Sequence, residues 1–331
     1  MATFRLRHRR YENSVNGGSG RVAVFDIWWS RTWHFVLHVF YIVLTMTGIN
    51  GSEIFFEPVR DVGSVFNSVR STEKERRTTL MSWYGQETTS IDPNAEMATD
   101  RPDVTEASST VGAGVLQIEA GYTYLQDRSG GTVNRSHSFP ETLLRYGTPV
   151  DWLELRFATN VSHQKAATNS FTGLEDLYFG AKLGLTLQDG VKPEMALVPQ
   201  MTVPSGATAL TSGKVLPGVN WLYGWDVTDV VSTAGSTQFN FAGDDNSGNT
   251  YTEWTQTWTV GYSLHDQIGA YTEWFAFVPH CSESAQIEHY ANCGMTFKLT
   301  EDVQWDIRTG MGLNDAAADW FTGIGMAIRF R

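Results

Sequence analysis

The sequence predicts an all-β protein, a twelve-stranded antiparallel up-and-down transmembrane β-barrel of the outer-membrane type. Apolar and polar residues alternate along repeated runs in the last two thirds of the chain. The connections between these runs are alternately long and short, and charged residues make up only 18% of the chain, which is rich in Gly and aromatic residues. Strands of about ten residues that alternate apolar and polar positions, with unequal connections at the two ends, are typical of outer-membrane barrels.

Composition and charge exclude several classes of protein. The 331 residues carry 24 Lys and Arg against 36 Asp and Glu, a formal net charge of −12, so a nucleic-acid partner, which needs a basic surface, is not expected. Two Cys are too few for a disulfide scaffold or a Cys-rich zinc site. Hydrophobic residues at 41% also argue against a helical membrane protein.

Residues 1–50 are interpreted as a basic lead and a secretory signal peptide. Arg and His residues precede a short apolar core at 35–47, and small and polar residues follow it. The core is too short for a membrane-spanning helix, which takes about 20 apolar residues. An uncleaved anchor or a short buried helix is the alternative. The long basic lead fits an extended n-region or a start codon downstream of Met1.

Residues 51–113 connect this leader to the barrel. The stretch 51–98 has no sustained strand or helix periodicity and predicts a flexible linker. In the following lead-in segment, 99–113, Pro102 forces extended backbone on Arg101, and Asp100 and Asp103 can form local turns. The segment is either an ordered turn held by an Asp–Arg pair or, because it precedes the first strand on the periplasmic side, a plug within the barrel.

Residues 114–331 form the predicted barrel. Around 152–161, Leu153, Leu155 and Phe157 face one way and Glu154 and Arg156 the other, as expected for a strand. The same alternation predicts twelve strands, at 114–124, 139–146, 151–161, 174–187, 193–204, 216–226, 230–241, 251–264, 267–278, 289–300, 303–312 and 319–330.

The connections predict which end of the barrel faces outward. Those at one end are long, at 126–138, 162–173, 205–215, 242–250, 279–288 and 313–318, and those at the other end are short, at 147–150, 188–192, 227–229, 265–266 and 301–302. Outer-membrane barrels have short periplasmic turns and longer outer loops. The last strand ends in an aromatic residue, Phe330, as such barrels commonly do, although Arg331 follows it.

The polar faces of the strands favour a membrane barrel over a soluble β-sandwich, whose solvated faces are dense in Lys, Glu and Thr. Here Gly alternates with scattered charges of both signs, which suits a narrow hydrated lumen. We expect six charged residues either to set permeation selectivity or to brace the wall: Glu154, Arg156, Asp176, Lys182, Asp306 and Arg308. Aromatic residues near strand ends fit interfacial girdles: Trp221, Tyr223, Trp225, Trp254, Trp258, Trp274 and Trp320.

Several motifs resemble one family of outer-membrane barrels. They are Thr-Asp-Arg-Pro-Asp-Val-Thr-Glu at 99–106, Leu-Gln-Ile-Glu-Ala-Gly-Tyr at 116–122, Phe-Pro-Glu-Thr-Leu-Leu-Arg at 139–145, Asp-Trp-Leu-Glu-Leu-Arg at 151–156, Leu-Glu-Asp-Leu-Tyr at 174–178 and Val-Pro-Gln-Met-Thr-Val-Pro at 198–204. Together they are similar to the "putative MetA-pathway of phenol degradation" family, over residues 99–331. Its members are generally regarded as transporters or channels, so the resemblance implies passive uptake and supplies no catalytic residues.

The His and Cys residues are the candidates for metal binding, disulfide formation or catalysis. Cys281 and Cys293 could form a loop-bracing disulfide in an oxidising compartment or remain free thiols. With His280 and His289 they could also be drawn as a metal site, but we expect neither a metal nor a cofactor. His137 and Ser138 lie in a predicted outer loop without the Asn-Gly partner motif of outer-membrane phospholipases, so we expect no enzyme.

The sequence therefore predicts a bacterial outer-membrane channel or transporter for passive uptake of small, possibly aromatic or hydrophobic, molecules. Its expected partners are outer-membrane lipid, a small solute and the barrel-assembly machinery. The alternative is a closed structural or surface-binding barrel that acts through its long outer loops.

Overall fold

The computed structural model describes residues 79–81, 97–129, 131–166, 169–244 and 246–331. The predicted signal peptide at 1–50 lies outside the described residues, as does most of the predicted linker at 51–98. Among the described residues, no helix is long and apolar enough to cross a membrane.

The described chain forms thirteen runs of β-strand. They are β1 (Leu116–Ser129), β2 (Thr132–Gly147), β3 (Leu153–Ala166), β4 (Asn169–Leu174), β5 (Leu177–Thr186), β6 (Glu194–Val203), β7 (Leu216–Asp226), β8 (Val231–Gly243), β9 (Thr250–His265), β10 (Ile268–His280), β11 (Glu288–Thr300), β12 (Val303–Gly312) and β13 (Trp320–Phe330). Both β4 and β5 pair with β3, one beyond the other, so they occupy a single position in the sheet.

The strands close into a twelve-stranded antiparallel barrel, as predicted. With β4 and β5 counted as one strand, each strand pairs with its neighbours in sequence. The first and last strands also pair, from Leu116 opposite Phe330 to Gln126 opposite Trp320. Closure leaves no open edge between the first and last strands, which is how a sheet satisfies its backbone hydrogen bonds in a membrane.

The two faces of the wall differ as the alternation predicts. On β3, Leu155 is 49% exposed on the outside whereas Arg156 is 2% exposed on the inside, and Phe179 and Lys182 repeat the contrast on β5. Trp side chains predicted for the girdles lie on the outer surface: Trp221, Trp254, Trp258, Trp274 and Trp320. The wall is therefore apolar outside and polar inside, as in an outer-membrane barrel.

Two of the predicted long loops, 126–138 and 162–173, are wrong. There β1 and β2 continue as paired strands to a turn in which Gly131 has a φ of 79°, and β3 pairs with β4 from Val161 to Ala166. Beyond the bilayer both faces of a hairpin are wet, so both carry polar residues and the alternation that marks a strand disappears. The long connections at 204–215, 244–249, 281–287 and 313–319 agree with the prediction.

Candidate functional site: a charged segment inside the barrel

The lead-in segment predicted at 99–113 lies inside the barrel. It begins two residues earlier than predicted and spans 97–113, since the carbonyl oxygen of Ala98 also accepts hydrogen bonds from Gln117 and Arg145 of the wall. Its hydrogen bonds and ion pairs reach inward-facing groups on ten of the twelve strand positions, namely β1, β2, β3, β5, β6, β7, β9, β10, β12 and β13. Asp100, Arg101 and Glu106 are all at most 3% exposed. The segment therefore crosses the lumen and contacts the wall on all sides.

Asp100 is the centre of the charged network. Its carboxylate lies 2.7 Å from Arg156, 3.2 Å from Lys182 and 3.5 Å from Arg145. Arg145 and Arg156 are directly opposite each other on β2 and β3. Like charges facing each other across two strands are destabilising, and the carboxylate of Asp100 compensates both of them.

Arg101 contacts the adjoining part of the wall, from β12 to β2. Its guanidinium forms an ion pair of 3.3 Å with Asp306 on β12 and one of 2.9 Å with Glu141 on β2. It lies against Gly121 and Gly325, which face each other on β1 and β13. A side chain at either glycine would occupy the space of the guanidinium, so these two positions accommodate Arg101.

The backbone of the segment is held as well as its side chains. Glu273 on β10 accepts hydrogen bonds from the backbone N–H groups of Val104 (2.9 Å) and Thr105 (2.7 Å). Arg308 donates to the carbonyl oxygen of Pro102 at 3.0 Å. Farther along, the N–H of Val111 donates to Glu154 at 2.9 Å. A segment with no strand partner thus satisfies its polar groups on the wall, as a buried backbone must.

The buried charges around Asp100 are paired with opposite charges. Glu154 accepts from Arg145 at 2.8 Å, Glu119 accepts from the same guanidinium at 3.2 Å, and Arg156 pairs with Glu106 at 3.2 Å. Burying a charge is costly unless it is paired and hydrogen-bonded, and removing one partner is strongly destabilising. The network therefore holds the segment in one position.

An apolar cluster fills part of the lumen toward the end that carries the long loops. Its members come from β1, β10, β11, β13, the last loop and the segment itself: Val104, Leu125, Phe275, Phe277, Tyr290, Ala317, Ala318 and Phe321. Phe275 and Tyr290 stack with ring centroids 4.8 Å apart, and the Arg308 guanidinium lies 6.0 Å from the Phe321 ring. The charged network and the apolar cluster are thus adjacent.

Five of the six residues predicted to line the lumen lie in this network: Glu154, Arg156, Lys182, Asp306 and Arg308. Asp176 does not. It lies between β4 and β5 and accepts hydrogen bonds from Gly206 and Ser212 in the loop between β6 and β7. The carboxylate of Asp176 therefore contacts a loop and not the charged network.

The residues predicted for a plug lie in the lumen. Asp100 and Arg101 join the ion pairs described above, whereas the half-buried Asp103 makes a side-chain hydrogen bond with Thr259 and lies within electrostatic reach of Glu273. Glu119, Arg145 and Glu273 also belong to the site. The two-residue alternation puts them on the polar faces of their strands, but it does not distinguish them from other polar residues there. Glu106 and Glu141 lie in the motifs given above. The position of the segment reveals that Glu106 pairs with Arg156 and Glu141 with Arg101, and Glu141 also lies 3.6 Å from Arg308 of the wall.

Of the two alternatives left open for Cys281 and Cys293, the structure has free thiols rather than a disulfide. Cys293 pairs with Thr272, nine residues before Cys281, which places the two about 30 Å apart at roughly 3.3 Å per strand residue. A disulfide requires Cα atoms within about 7 Å. No group of three or more His, Cys, Asp or Glu among the described residues is arranged to hold a metal.

His137 and Ser138 lie in β2 rather than in the predicted outer loop. The His137 Nδ1 atom is 2.7 Å from the Tyr122 hydroxyl, on the outer face, whereas the Ser138 hydroxyl accepts a hydrogen bond from Asn160 at 2.7 Å. Adjacent residues of a strand point to opposite faces, so the two side chains do not form a nucleophile–base pair.

Asp244 links two outer loops. It accepts hydrogen bonds from Ser282 (2.6 Å) and from the N–H groups of Glu283 (2.7 Å), Asn246 (3.0 Å) and Ser247 (3.1 Å). Burial acts to raise the pKa of the Asp244 carboxyl, but these hydrogen bonds outweigh it and hold the pKa well below its usual range. Ionised Asp244 therefore stabilises the contact between the loops.

A family model matches residues 99–330, which include the segment in the lumen and the whole barrel. The chain belongs to the family described as "Putative MetA-pathway of phenol degradation". The predicted family membership is thus confirmed. No curated protein matches this family member closely enough to count as a relative.

Solved structures support the fold of this family member. The COG4313 outer membrane channel from Pseudomonas putida F1 superposes with a TM-score of 0.54 at 12% identity, covering 67% of this chain and 98% of that one. The NanC porin has a TM-score of 0.41 at 11% identity, covering 64% of this chain and 98% of that one. The similarity to the COG4313 channel shows a shared fold. At 12% identity it does not show a shared function.

Proposed function

We propose that this protein is a channel of the bacterial outer membrane for passive uptake of small apolar or aromatic solutes, and that the 97–113 segment closes its lumen at rest. The observation that carries the proposal is the position of Asp100, held between Arg145, Arg156 and Lys182. A segment held by ion pairs rather than by strand pairing can leave the wall without breaking the barrel.

The wall itself supports a transport role. An apolar exterior with aromatic side chains and a polar interior of charged side chains suits a barrel embedded in a membrane with a hydrated lumen. Membership of a family named for phenol degradation is consistent with an aromatic solute. The fold alone does not specify what is transported.

The apolar cluster supports an apolar or aromatic solute. Phe275, Phe277, Tyr290 and Phe321 lie on the side of the network nearer the long loops, which we take as the outer end. A solute that enters from outside would meet these rings before the charged network. Aromatic rings favour offset-stacked or edge-to-face contacts with one another, so they suit a planar apolar solute better than a sugar or an ion.

A disulfide lock tests whether the segment must move. The Ser108 hydroxyl lies 3.3 Å from the position that a Cβ would occupy at Gly224 on β7, close to the geometry of a disulfide. The native thiols are first removed by Cys281→Ser and Cys293→Ser. In that protein, cysteines introduced by Ser108→Cys and Gly224→Cys should form a disulfide under oxidation and so crosslink the segment to the wall. Conductance in planar bilayers would be recorded before and after reduction, with and without phenol or benzoate.

We expect the oxidised protein to lose conductance and the reduced protein to regain it, and we expect aromatic compounds to modulate the reduced channel. The two single Cys variants, treated with the same oxidant, are the controls. Conductance that survives the crosslink would overturn the gate but leave the channel. Absence of conductance in the reduced and wild-type proteins, both shown to be folded by a heat-modifiable gel shift, would overturn the channel itself.

The alternative function is a closed structural or surface-binding barrel. The filled lumen favours it, and so do the outer loops that Asp244 holds together. The same recordings separate the two functions, because a structural barrel stays silent in every redox state. An enzymatic role has no support from His137 and Ser138, and we propose none. Outer-membrane lipid, a small solute and the barrel-assembly machinery remain the proposed partners.

A further inference from the structure

The outer surface of the barrel carries an unusual patch of positive charge. By register, the outward-facing positions of all the described strands include only three Lys or Arg residues, and no Asp or Glu. These are Arg128, Arg135 and Lys165, which are all exposed. They lie on the neighbouring strands β1, β2 and β3, at the ends farthest from the short turns.

The patch contains like charges that face each other. Arg135 is directly opposite Lys165 on β2 and β3, and the next outward pair is His137 opposite His163, with ring centroids 5.7 Å apart. The like charges of Arg135 and Lys165 repel each other in this arrangement. The arrangement resembles Arg145 opposite Arg156 inside the lumen, where the chain supplies the carboxylate of Asp100 between them.

On the outside, no carboxylate of the described residues takes this place. Arg128, Arg135 and Lys165 form no ion pair with a described residue. Asp127 is the only acidic residue on the surrounding parts of β1–β4 and β13, and alternation turns it inward, where it interacts electrostatically with Tyr290. Within the part of the chain that the structure describes, the patch thus has no counter-charge, which leaves it open to an anionic group of another molecule.

The height of the patch along the barrel wall indicates which kind of molecule could neutralise its charge. Tyr124 contacts both His137 (5.1 Å between centroids) and Trp320 (5.2 Å), so these outward aromatic rings lie next to the charged rows on the bilayer side. Aromatic side chains of a barrel occupy the interface between the acyl chains and the headgroups. Arg128, Arg135 and Lys165 therefore lie at the level of the headgroups of the outer leaflet.

We propose that Arg128, Arg135 and Lys165 bind the phosphate groups of a phosphorylated glycolipid of the outer leaflet, of the lipid A type. Guanidinium and ammonium groups form strong charge-assisted hydrogen bonds with phosphate. The Tyr122–His137 hydrogen bond and the ring contacts fix the surrounding surface. The site requires the membrane setting proposed above but does not require the barrel to conduct.

Binding of purified lipid A to the refolded protein in detergent tests the site, with native mass spectrometry as the readout. The variant Arg135→Ala, Lys165→Ala should bind bisphosphorylated lipid A about thirty-fold more weakly, since each basic residue near an anionic lipid surface contributes about a factor of five. The control Lys192→Ala, Lys214→Ala removes two exposed cations elsewhere and should bind within about two-fold of wild type. The swap Arg135→Lys, Lys165→Arg keeps both charges and should retain most of the binding.

Three results would overturn the proposal. One is equal binding of lipid A by the Arg135→Ala, Lys165→Ala variant and by its control. Another is equally tight binding of dephosphorylated lipid A, which would indicate acyl-chain contacts alone. The third is displacement of the lipid by inorganic phosphate at the same concentration, which would indicate a general anion site. Conductance of the Ala pair should equal that of wild type, so loss of lipid binding and loss of channel activity are distinguishable.

Discussion

Asp100 and Arg156 form an ion pair in the barrel lumen, with 2.7 Å between Oδ2 and Nη1 and both side chains fully shielded from solvent. Arg156 faces Arg145 across β2 and β3, and Asp100 lies within reach of both. The wall alone would hold two opposed buried cations, which is unfavourable. The segment thus completes the electrostatics of the wall, and this explains how it stays in place without strand pairing.

Replacing Asp100 by Asn should loosen the segment. The change leaves Arg145, Arg156 and Lys182 without their shared anion, and breaking a buried pair costs about 3 to 5 kcal/mol. We expect a lower midpoint in the heat-modifiable gel shift and more frequent channel opening in planar bilayers. Asp176→Asn is the matched control, because its carboxylate lies outside the network. Equal opening of the two variants would mean that the Asp100 ion pairs do not hold the lumen closed.

Gly121→Ala should displace Arg101 without removing any charge. The new methyl group would occupy the space of the guanidinium, which Asp306 and Glu141 hold in place. We expect channel opening to increase, though less than in Asp100→Asn. Gly184→Ala is the control, since a Cβ at this lumen-facing glycine lies no closer than 3.7 Å to any neighbour. Similar recordings from the two Ala variants would contradict a role of Arg101 in closing the lumen.

The wall of the barrel could be predicted from the sequence because one property, the two-residue alternation, identifies both the strands and their faces. Leu155 and Arg156 illustrate this, since they lie on the predicted sides. The prediction failed where the environment of the two faces is the same, in the hairpins beyond the bilayer. For Asp176, alternation could not identify the partner, because the loop that contacts its carboxylate lies far away in sequence.

The site was less accessible to sequence reasoning. The charged residues of the wall could be placed on its inner face, but their partners depend on where a segment without periodicity lies. Glu106 shows the difficulty, because it belongs to the segment and meets Arg156 only when the segment lies in the lumen. Cys281 and Cys293 are close in sequence, but the strand between them keeps them far apart.

The contact between the outer loops should weaken in acid. The folded-state pKa of Asp244 is depressed, so its stabilising effect is complete above the ordinary value of 3.8 and declines as the pH falls toward the folded-state value. Hydrogen exchange of the Glu283 and Ser284 amides should therefore be slower in wild type than in Asp244→Asn at pH about 6. The difference, corrected for intrinsic exchange, should shrink at pH about 3.

Asp315→Asn, in a neighbouring outer loop, controls for the loss of a carboxylate in that region. It should leave the exchange of the Glu283 and Ser284 amides unchanged at both values of pH. A difference between wild type and Asp244→Asn that does not depend on pH would show that ionisation of Asp244 does not hold the loops together.

Cys281 and Cys293 should react differently with thiol reagents. Cys281 is exposed at the outer end of β10, whereas Cys293 lies on the outward face of β11, where we expect lipid to cover it. A membrane-impermeant maleimide added to intact cells should therefore label wild type once and leave Cys281→Ser unlabelled. Both thiols should react in denaturant without reductant, since they are unpaired. Labelling of Cys281 only after the outer membrane is disrupted would place the long loops on the periplasmic side, and would reverse the orientation on which the outer-leaflet lipid site depends.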